Sequence, residues 1–145
     1  MLLTVRRFPG GSDSSRLRPL VSPDTAPFYE ALAQHRLMLQ ACESCQRMRW
    51  PVAPICPHCR HDGAVWRRAG GRGTVHSFTR YHKAFMPEFQ SLLPYVVLNV
   101  ALAEGPRLIG RWLSEREVRI GMPVAMAIER WDDGLCVPAF VDESS

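Results

Sequence analysis

From Thr74 onward, apolar and polar residues alternate in short runs: "TVHSFTRYH" (74–82), "YVVLNVALA" (95–103), "RLIGRWL" (107–113), "VAMAIERW" (124–131) and "LCVPAFV" (135–141). A period of two with β-branched and aromatic residues predicts strands. Five strands within about 70 residues predict a small Greek-key barrel of the OB type. Glu104-Gly105-Pro106 and Asp132-Asp133-Gly134 supply the hairpin turns, because glycine tolerates positive φ. Gly110, inside an otherwise good strand, predicts a bulge that bends a barrel corner. Upstream the period lengthens. In "DTAPFYEALAQHR" Phe28, Ala31, Leu32 and His35 recur at helical spacing, with Asp24 or Thr25 as the cap and Pro27 in the first turn. "LMLQAC" and "RMRWP" predict short strands, and residues 1–21, rich in Arg, Ser, Gly and Pro without a period, predict a mobile arm. The chain thus divides into an arm (1–21), a helix (22–36), a small unit (37–70) and a barrel (71–145).

The small unit is defined by chemistry more than by pattern. Cys42, Cys45, Cys56 and Cys59 form two Cys-x-x-Cys pairs, four of the five cysteines in the chain. A thioredoxin-type pair stands singly between a strand and a helix, whereas these pairs lie on turn-like, Pro-rich sequence. A disulfide staple is disfavoured in a reducing compartment. Four thiolates at about 2.3 Å complete a zinc tetrahedron and leave no position for a catalytic water, so the expected metal is one structural zinc. Iron is the other ion that four thiolates hold. Residues 37–70 contain too little apolar material for a core of their own, and structural zinc supplies on the order of 10 kcal/mol of folding free energy. His58 is expected as a turn residue of the second knuckle, and Cys136 as a small buried hydrophobe on a strand.

Composition sets limits on partners. The net charge is +4, but residues 71–145 hold eight basic and nine acidic side chains, giving −1. The barrel therefore lacks the electrostatic footprint of a nucleic-acid binder. A bound zinc with four thiolates would lower the charge of the small unit by two. No apolar run reaches the roughly 18 residues that a transmembrane helix needs, and no signal peptide is expected, which points to a cytoplasmic protein away from membranes.

A helix, a four-cysteine ribbon and a five-stranded barrel in that order resemble the zinc-ribbon, OB-fold, acyl-CoA-associated family long catalogued as a domain of unknown function. The segments that carry the resemblance are "PDTAPFYEAL", the cysteine pairs, "GRGTVHSFT", "LPYVVLNVALAEGPRL" and "VRIGMPV", spanning residues 23–141. The resemblance implies a rubredoxin-like ribbon fused to an OB barrel. It also implies a non-catalytic accessory subunit of a thiolase-fold enzyme (a thiolase, acyltransferase or lipid-transfer-type aldolase) that helps hold a coenzyme A thioester.

Catalysis by this chain alone needs an activated nucleophile or a juxtaposed acid and base, and candidates are few. His76 and His82 share a face of one predicted strand but lie about 20 Å apart along it. Glu115 and Glu117 fall in a charged loop beside Arg116 and Arg119. The alternative class is a single-stranded nucleic-acid binder, since zinc ribbons and OB barrels both serve that role. It requires exposed aromatics among cations on the second and third barrel strands, where Tyr95 and Trp112 are the candidates. The strand at 95–103 is instead apolar on both faces and carries no cation, which predicts cover from outside the barrel. The connection "RYHKAFMPEFQSLLPY" (80–95) is the expected contact element, because long loops in compact domains commonly bind. Arg80, His82 and Lys83, the only lysine, are candidates for coenzyme A phosphates. Phe85, Met86, Phe89, Leu92, Leu93 and Tyr95 are candidates for a partner surface or an acyl chain.

Overall fold

A computed structural model describes residues 2–10 and 18–144. Its first element is the strand β1 (Thr4–Arg7), followed by the helix α1 (Ala26–Ala33). Thr25 is the N-cap, and proline stands in the first turn. Ser22 and Thr25 exchange main-chain and hydroxyl hydrogen bonds ahead of it. The helix is shorter than the expected 22–36 because this turn occupies its upstream end and His35, at φ 62°, closes the other. Phe28, Ala31 and Leu32 are buried on one face.

The ribbon sheet pairs β3 (Met48–Arg49) and β4 (Ala64–Ala69) on either side of β2 (Leu37–Cys42), all antiparallel. "RMRWP" yields only two strand residues, because its last residue is a proline without an N–H. β4, "AVWRRA", was not expected as a strand. It is half-polar, and it pairs with β2 over six residues.

The barrel comprises β5 (Arg72–Tyr81), β6 (Tyr95–Leu102), β7 (Arg107–Trp112), β8 (Pro123–Arg130) and β9 (Cys136–Asp142). β5–β6–β7 is a meander, β7 pairs with β9 in parallel, β9 pairs with β8, and β8 returns to β5. This closed five-strand circuit is the OB topology. Along β6, Val96, Leu98, Val100 and Leu102 are buried, while Tyr95, Val97, Asn99 and Ala101 are half-buried on the outer face. The inward residues share one core with Phe28 and Leu32 of α1 and Leu37 and Leu39 of β2. The ribbon is therefore built onto the barrel core, and zinc is not its sole support. No helix of the described residues is long and apolar enough to cross a membrane.

Three expectations need correction. Gly110 is not a bulge, since it pairs in register with Leu98. A Cβ there would stand 2.8 Å from the Pro138 carbonyl oxygen, so glycine is required by the close approach of β9 where the barrel closes. The bulge lies on β5 between Val75 and Ser77. It breaks the alternation that would have put His76 and His82 on one face, and His82 falls beyond the strand; both histidines are exposed. The mobile arm is also not what residues 4–8 form. β1 pairs in parallel with Ala127–Arg130 of β8, on the edge that β5 leaves after Ala125. Arg7 donates to both carboxylate oxygens of Asp132 at 2.7 Å. Phe8 is 1% exposed and stacks on Trp131 with 3.7 Å between ring centroids. Four residues are too few to show a period, so the strand left no sequence signal. The expectation for 11–17 lies outside the described residues.

Candidate metal centre and docking surface

The cysteines sit on two turns with the same hydrogen bonds. At the end of β2 the Gln46 amide donates to the Cys42 carbonyl at 2.9 Å and the Cys42 amide to the Arg47 carbonyl at 3.0 Å. Fourteen residues on, Arg60 donates to Cys56 and Cys56 to His61, each at 2.9 Å. Gln46 and Arg60 hold φ near +65° (63° and 67°), a left-handed conformation that side chains other than glycine or asparagine rarely take. Nothing in their identity announces it. The four Sγ atoms lie within 4.8 Å of one another, with Cys42–Cys59 at 3.5 Å and Cys45–Cys56 at 3.6 Å. A zinc tetrahedron with bonds of about 2.3 Å sets its sulfurs about 3.8 Å apart, so the donor set and its spacing fit zinc, and all four positions are sulfur. The amide of Cys59 draws the Cys56 thiol down to about 6 against the opposing effect of burial. The Cys45 amide likewise lowers Cys42. At Cys45 the Arg47 amide pulls down, but burial and the neighbouring thiols outweigh it and push this thiol up to about 11. The neighbouring amides thus favour the ligating thiolate form at Cys56 and, in the same direction, at Cys42, whereas the metal must displace the proton at Cys45. His58 is exposed with Nδ1 2.9 Å from Arg47 Nη1, outside the sulfur cluster. Cys136 is buried and free.

The connection after β5 divides in two. Phe89 and Leu92 pack inward against Phe8, Trp131 and Leu135, with Phe89 and Phe8 centroids 5.3 Å apart. Phe89 and Leu92 are both half-buried there, so less of each side chain is open to a partner or an acyl chain than the sequence alone suggests. Phe8 also lies 5.9 Å from the guanidinium of Arg111, whose Nε–H is shared between the two carboxylate oxygens of the buried Glu129 while Nη2 donates to Oε2. Phe85, by contrast, is 73% exposed, with its ring perpendicular to that of Tyr81 at 6.5 Å and the Lys83 ammonium 5.8 Å from its centroid. Tyr81 stacks on Tyr95 at 4.8 Å. Met86 and Leu93 are half-buried at the two ends of the 3-10 turn Pro87–Leu92.

Arg80 pairs with Val96 and lines a cleft of about 470 Å³ at the barrel mouth together with Tyr95, Arg111, Trp112, Arg116 and two carboxylate residues, Glu115 and Glu117. Arg111 and Arg116 are neutralised by Glu129 and Asp142. Arg80 has no carboxylate partner among the described residues. His82 and Lys83 are exposed and do not line this cleft. Trp112 is buried and its indole N–H donates to the Arg116 carbonyl at 2.9 Å. With Trp112 inside and Tyr95 against Tyr81, these two aromatics do not form an open stacking platform for bases.

Comparison with known proteins gives consistent matches. Residues 30–65 match the rubredoxin-like zinc ribbon domain of ChsH2, and residues 66–129 its C-terminal OB-fold domain. The probable enoyl-CoA hydratase alpha subunit of Thermomonospora curvata is 37% identical over 127 residues, covering 86% of this chain and 39% of that protein. The 3-oxo-4,17-pregnadiene-20-carboxyl-CoA hydratase alpha subunit of Mycobacterium tuberculosis is 33% identical, with 80% and 40% covered. The chain thus spans about two fifths of the length of these two relatives. A DUF35 domain-containing scaffold protein of Methanocaldococcus jannaschii is 31% identical, with 65% of this chain and 71% of the relative covered. Among solved structures, a chain of the Ltp2-ChsH2(DUF35) aldolase superposes with a TM-score of 0.78 at 36% identity, covering 86% of this chain and 98% of that one.

Proposed function

The chain belongs to the ChsH2/DUF35 family of zinc-ribbon, OB-fold proteins, and from that membership we propose that it is a non-catalytic scaffold subunit that docks on a thiolase-fold enzyme and helps hold its acyl-CoA substrate. The observation that carries the proposal is the likeness, over 98% of its length, to a chain of an Ltp2-ChsH2 aldolase. The name of the scaffold relative agrees. Phe85 is the docking anchor: a large ring held out in water by Tyr81 and Lys83 gains about 1.5–3 kcal/mol on full burial, before the costs of association. Phe85, Met86 and Leu93 meet the partner, with Tyr95 at the rim of the barrel-mouth cleft. Arg80 inside that cleft, with His82 and Lys83 outside it, meets the phosphates of coenzyme A by charge-assisted hydrogen bonds.

The experiment is purification of the tagged chain from its native host, with mass spectrometry of what accompanies it. A thiolase-fold subunit in stoichiometric amount is expected. Phe85→Ser should weaken that complex at least about tenfold, or 1.4 kcal/mol, with zinc content and melting temperature unchanged. Arg80→Ala should reduce thioester binding by the assembled complex while leaving assembly intact. A complex that forms equally well with Phe85→Ser removes the anchor, and recovery of the chain without a thiolase-fold protein removes the proposal.

A further inference from the structure

Arg49 has no carboxylate within ion-pair distance among the described residues; Glu104, which lines a neighbouring cleft with it, accepts instead from the Gly70 amide. It lies on β3 opposite Gln40 and is 6% exposed. Nε donates to Gln40 Oε1 and Nη2 to the Ala53 carbonyl, both at 2.9 Å. The Ala53 amide donates to the same Gln40 oxygen at 3.1 Å. Nη1 is buried with no acceptor. Both partners of the guanidinium are neutral. A guanidinium keeps its proton in a protein, and a buried charge left without a counterion is strongly unfavourable.

The three residues of this network, Gln40, Arg49 and Ala53, also line a cleft of about 280 Å³, together with Asp24 and Asp62. We propose that the cleft is an anion site, in which Arg49 takes the oxygens of a carboxylate or phosphate group. Gln40, whose Oε1 is already engaged by Arg49 and Ala53, offers its amide NH₂ as a second donor. The volume suits a single charged group with its waters, since sites for whole drug-sized ligands begin at about 300 Å³. Asp24 and Asp62 are exposed. Their repulsion of an incoming anion is weakened by water and salt, whereas the attraction of the desolvated guanidinium is not. The site does not rest on the docking proposal: the anion is either an acidic side chain of a bound protein or a free oxyanion.

The test is an NMR titration of the zinc-loaded full chain, following the Arg49 Nε–Hε signal, assigned by its loss in Arg49→Lys. Sodium acetate and inorganic phosphate are added separately at constant ionic strength. A saturable shift is expected, tightening at least about threefold in Asp24→Asn or Asp62→Asn as like charge is removed. Tighter binding of acetate identifies a carboxylate as the natural group, and tighter binding of phosphate a free oxyanion. No saturable shift with either anion overturns the proposal. So does an Arg49 signal that moves on Asp24→Asn or Asp62→Asn without added anion, because an aspartate would then already serve as its partner.

Discussion

Truncation of Phe8 to alanine separates a built-in strand from a loose arm. The ring is 1% exposed, stacked on Trp131, tilted against Phe89 and 5.9 Å from the Arg111 guanidinium. Removing a buried phenylalanine costs about 3–5 kcal/mol when the site cannot collapse. Here the cost has a ceiling. Leu3 and Val5 pack on the main core and the Leu3 amide donates to the His35 carbonyl, but beyond the four ladder positions the end of the segment is held only by the Phe8–Arg130 backbone bond and the exposed Arg7–Asp132 pair, so once the ring is gone that end loosens rather than strain the barrel. We therefore expect a loss near the lower bound, about 3 kcal/mol, which for a domain of this size lowers the melting temperature by roughly 6–12 °C. Urea unfolding followed by tryptophan fluorescence measures it, with hydrogen exchange at the Phe8 amide as the local probe. Trp131 should shift to the red in the native baseline, and the Phe8 amide should lose protection. A midpoint change worth less than about 0.5 kcal/mol, with native emission unaltered, would refute the reasoning and return residues 1–10 to the status of an arm.

Three further outcomes follow from particular contacts. Cys56→Ser should abolish stoichiometric zinc and leave a chain that unfolds in chelator, and metal analysis finding full zinc in that variant would exclude the four-sulfur site. Gly110→Ala should destabilise the barrel by about 1–3 kcal/mol in urea, because the new methyl meets the backbone of Pro138 and Ala139, which cannot yield as a side chain does; neutrality would show that the β7–β9 seam is looser than described. Asp132 is held below its ordinary value of 3.8 by the hydrogen bond and charge of Arg7. Its stabilising effect is therefore present above the unfolded value and is lost as pH falls through the lower folded one. The wild-type melting temperature should thus fall more steeply than that of Asp132→Asn from about pH 5 downward, and parallel curves would mean that the pair contributes nothing.

The barrel strands and the ribbon were legible because each rests on a local signal: alternation along β6, glycine at the 104–106 and 132–134 turns, and cysteine spacing on the knuckles. What escaped depends on partners distant in sequence. β1 has no intrinsic reason to be a strand until β5 leaves the edge of β8, some 120 residues away. Gly110 carried the signal of an exceptional glycine but not its cause, since both a bulge and a close approach ask for one, and only the position of β9 decides. In "FMPEFQSLL" the apolar residues look equivalent in sequence. The 3-10 turn sorts them, putting Phe89 and Leu92 toward Trp131 and leaving Phe85 in water. Arg49 was invisible for a similar reason: one arginine among six between residues 36 and 70, it becomes unusual only once the fold buries it with no ion pair among the described residues.

The sorting of that connection ties its two halves together energetically. Phe89 can hold its place only while Phe8 and Trp131 form the other sides of its site, and Phe85 is presented only while the turn beginning at Pro87 is fixed. Gly10 abuts the Glu88 carbonyl so closely that a Cβ there would lie 2.0 Å from the oxygen, a second point at which the N-terminal segment grips the turn. Ordering a free loop costs about 1–2 kcal/mol per residue of backbone entropy, and a loop ordered in advance does not pay it on binding. On the proposed docking through Phe85, the N-terminal strand serves that surface without being part of it: Phe8→Ala should weaken the proposed complex through loss of order in residues 82–94, although Phe8 itself is buried. A Phe8→Ala/Phe85→Ser cycle separates this from direct contact. If Phe8 acts by presenting Phe85, the double variant binds no worse than Phe85→Ser alone, whereas additive losses would mean that the two residues act on the partner independently.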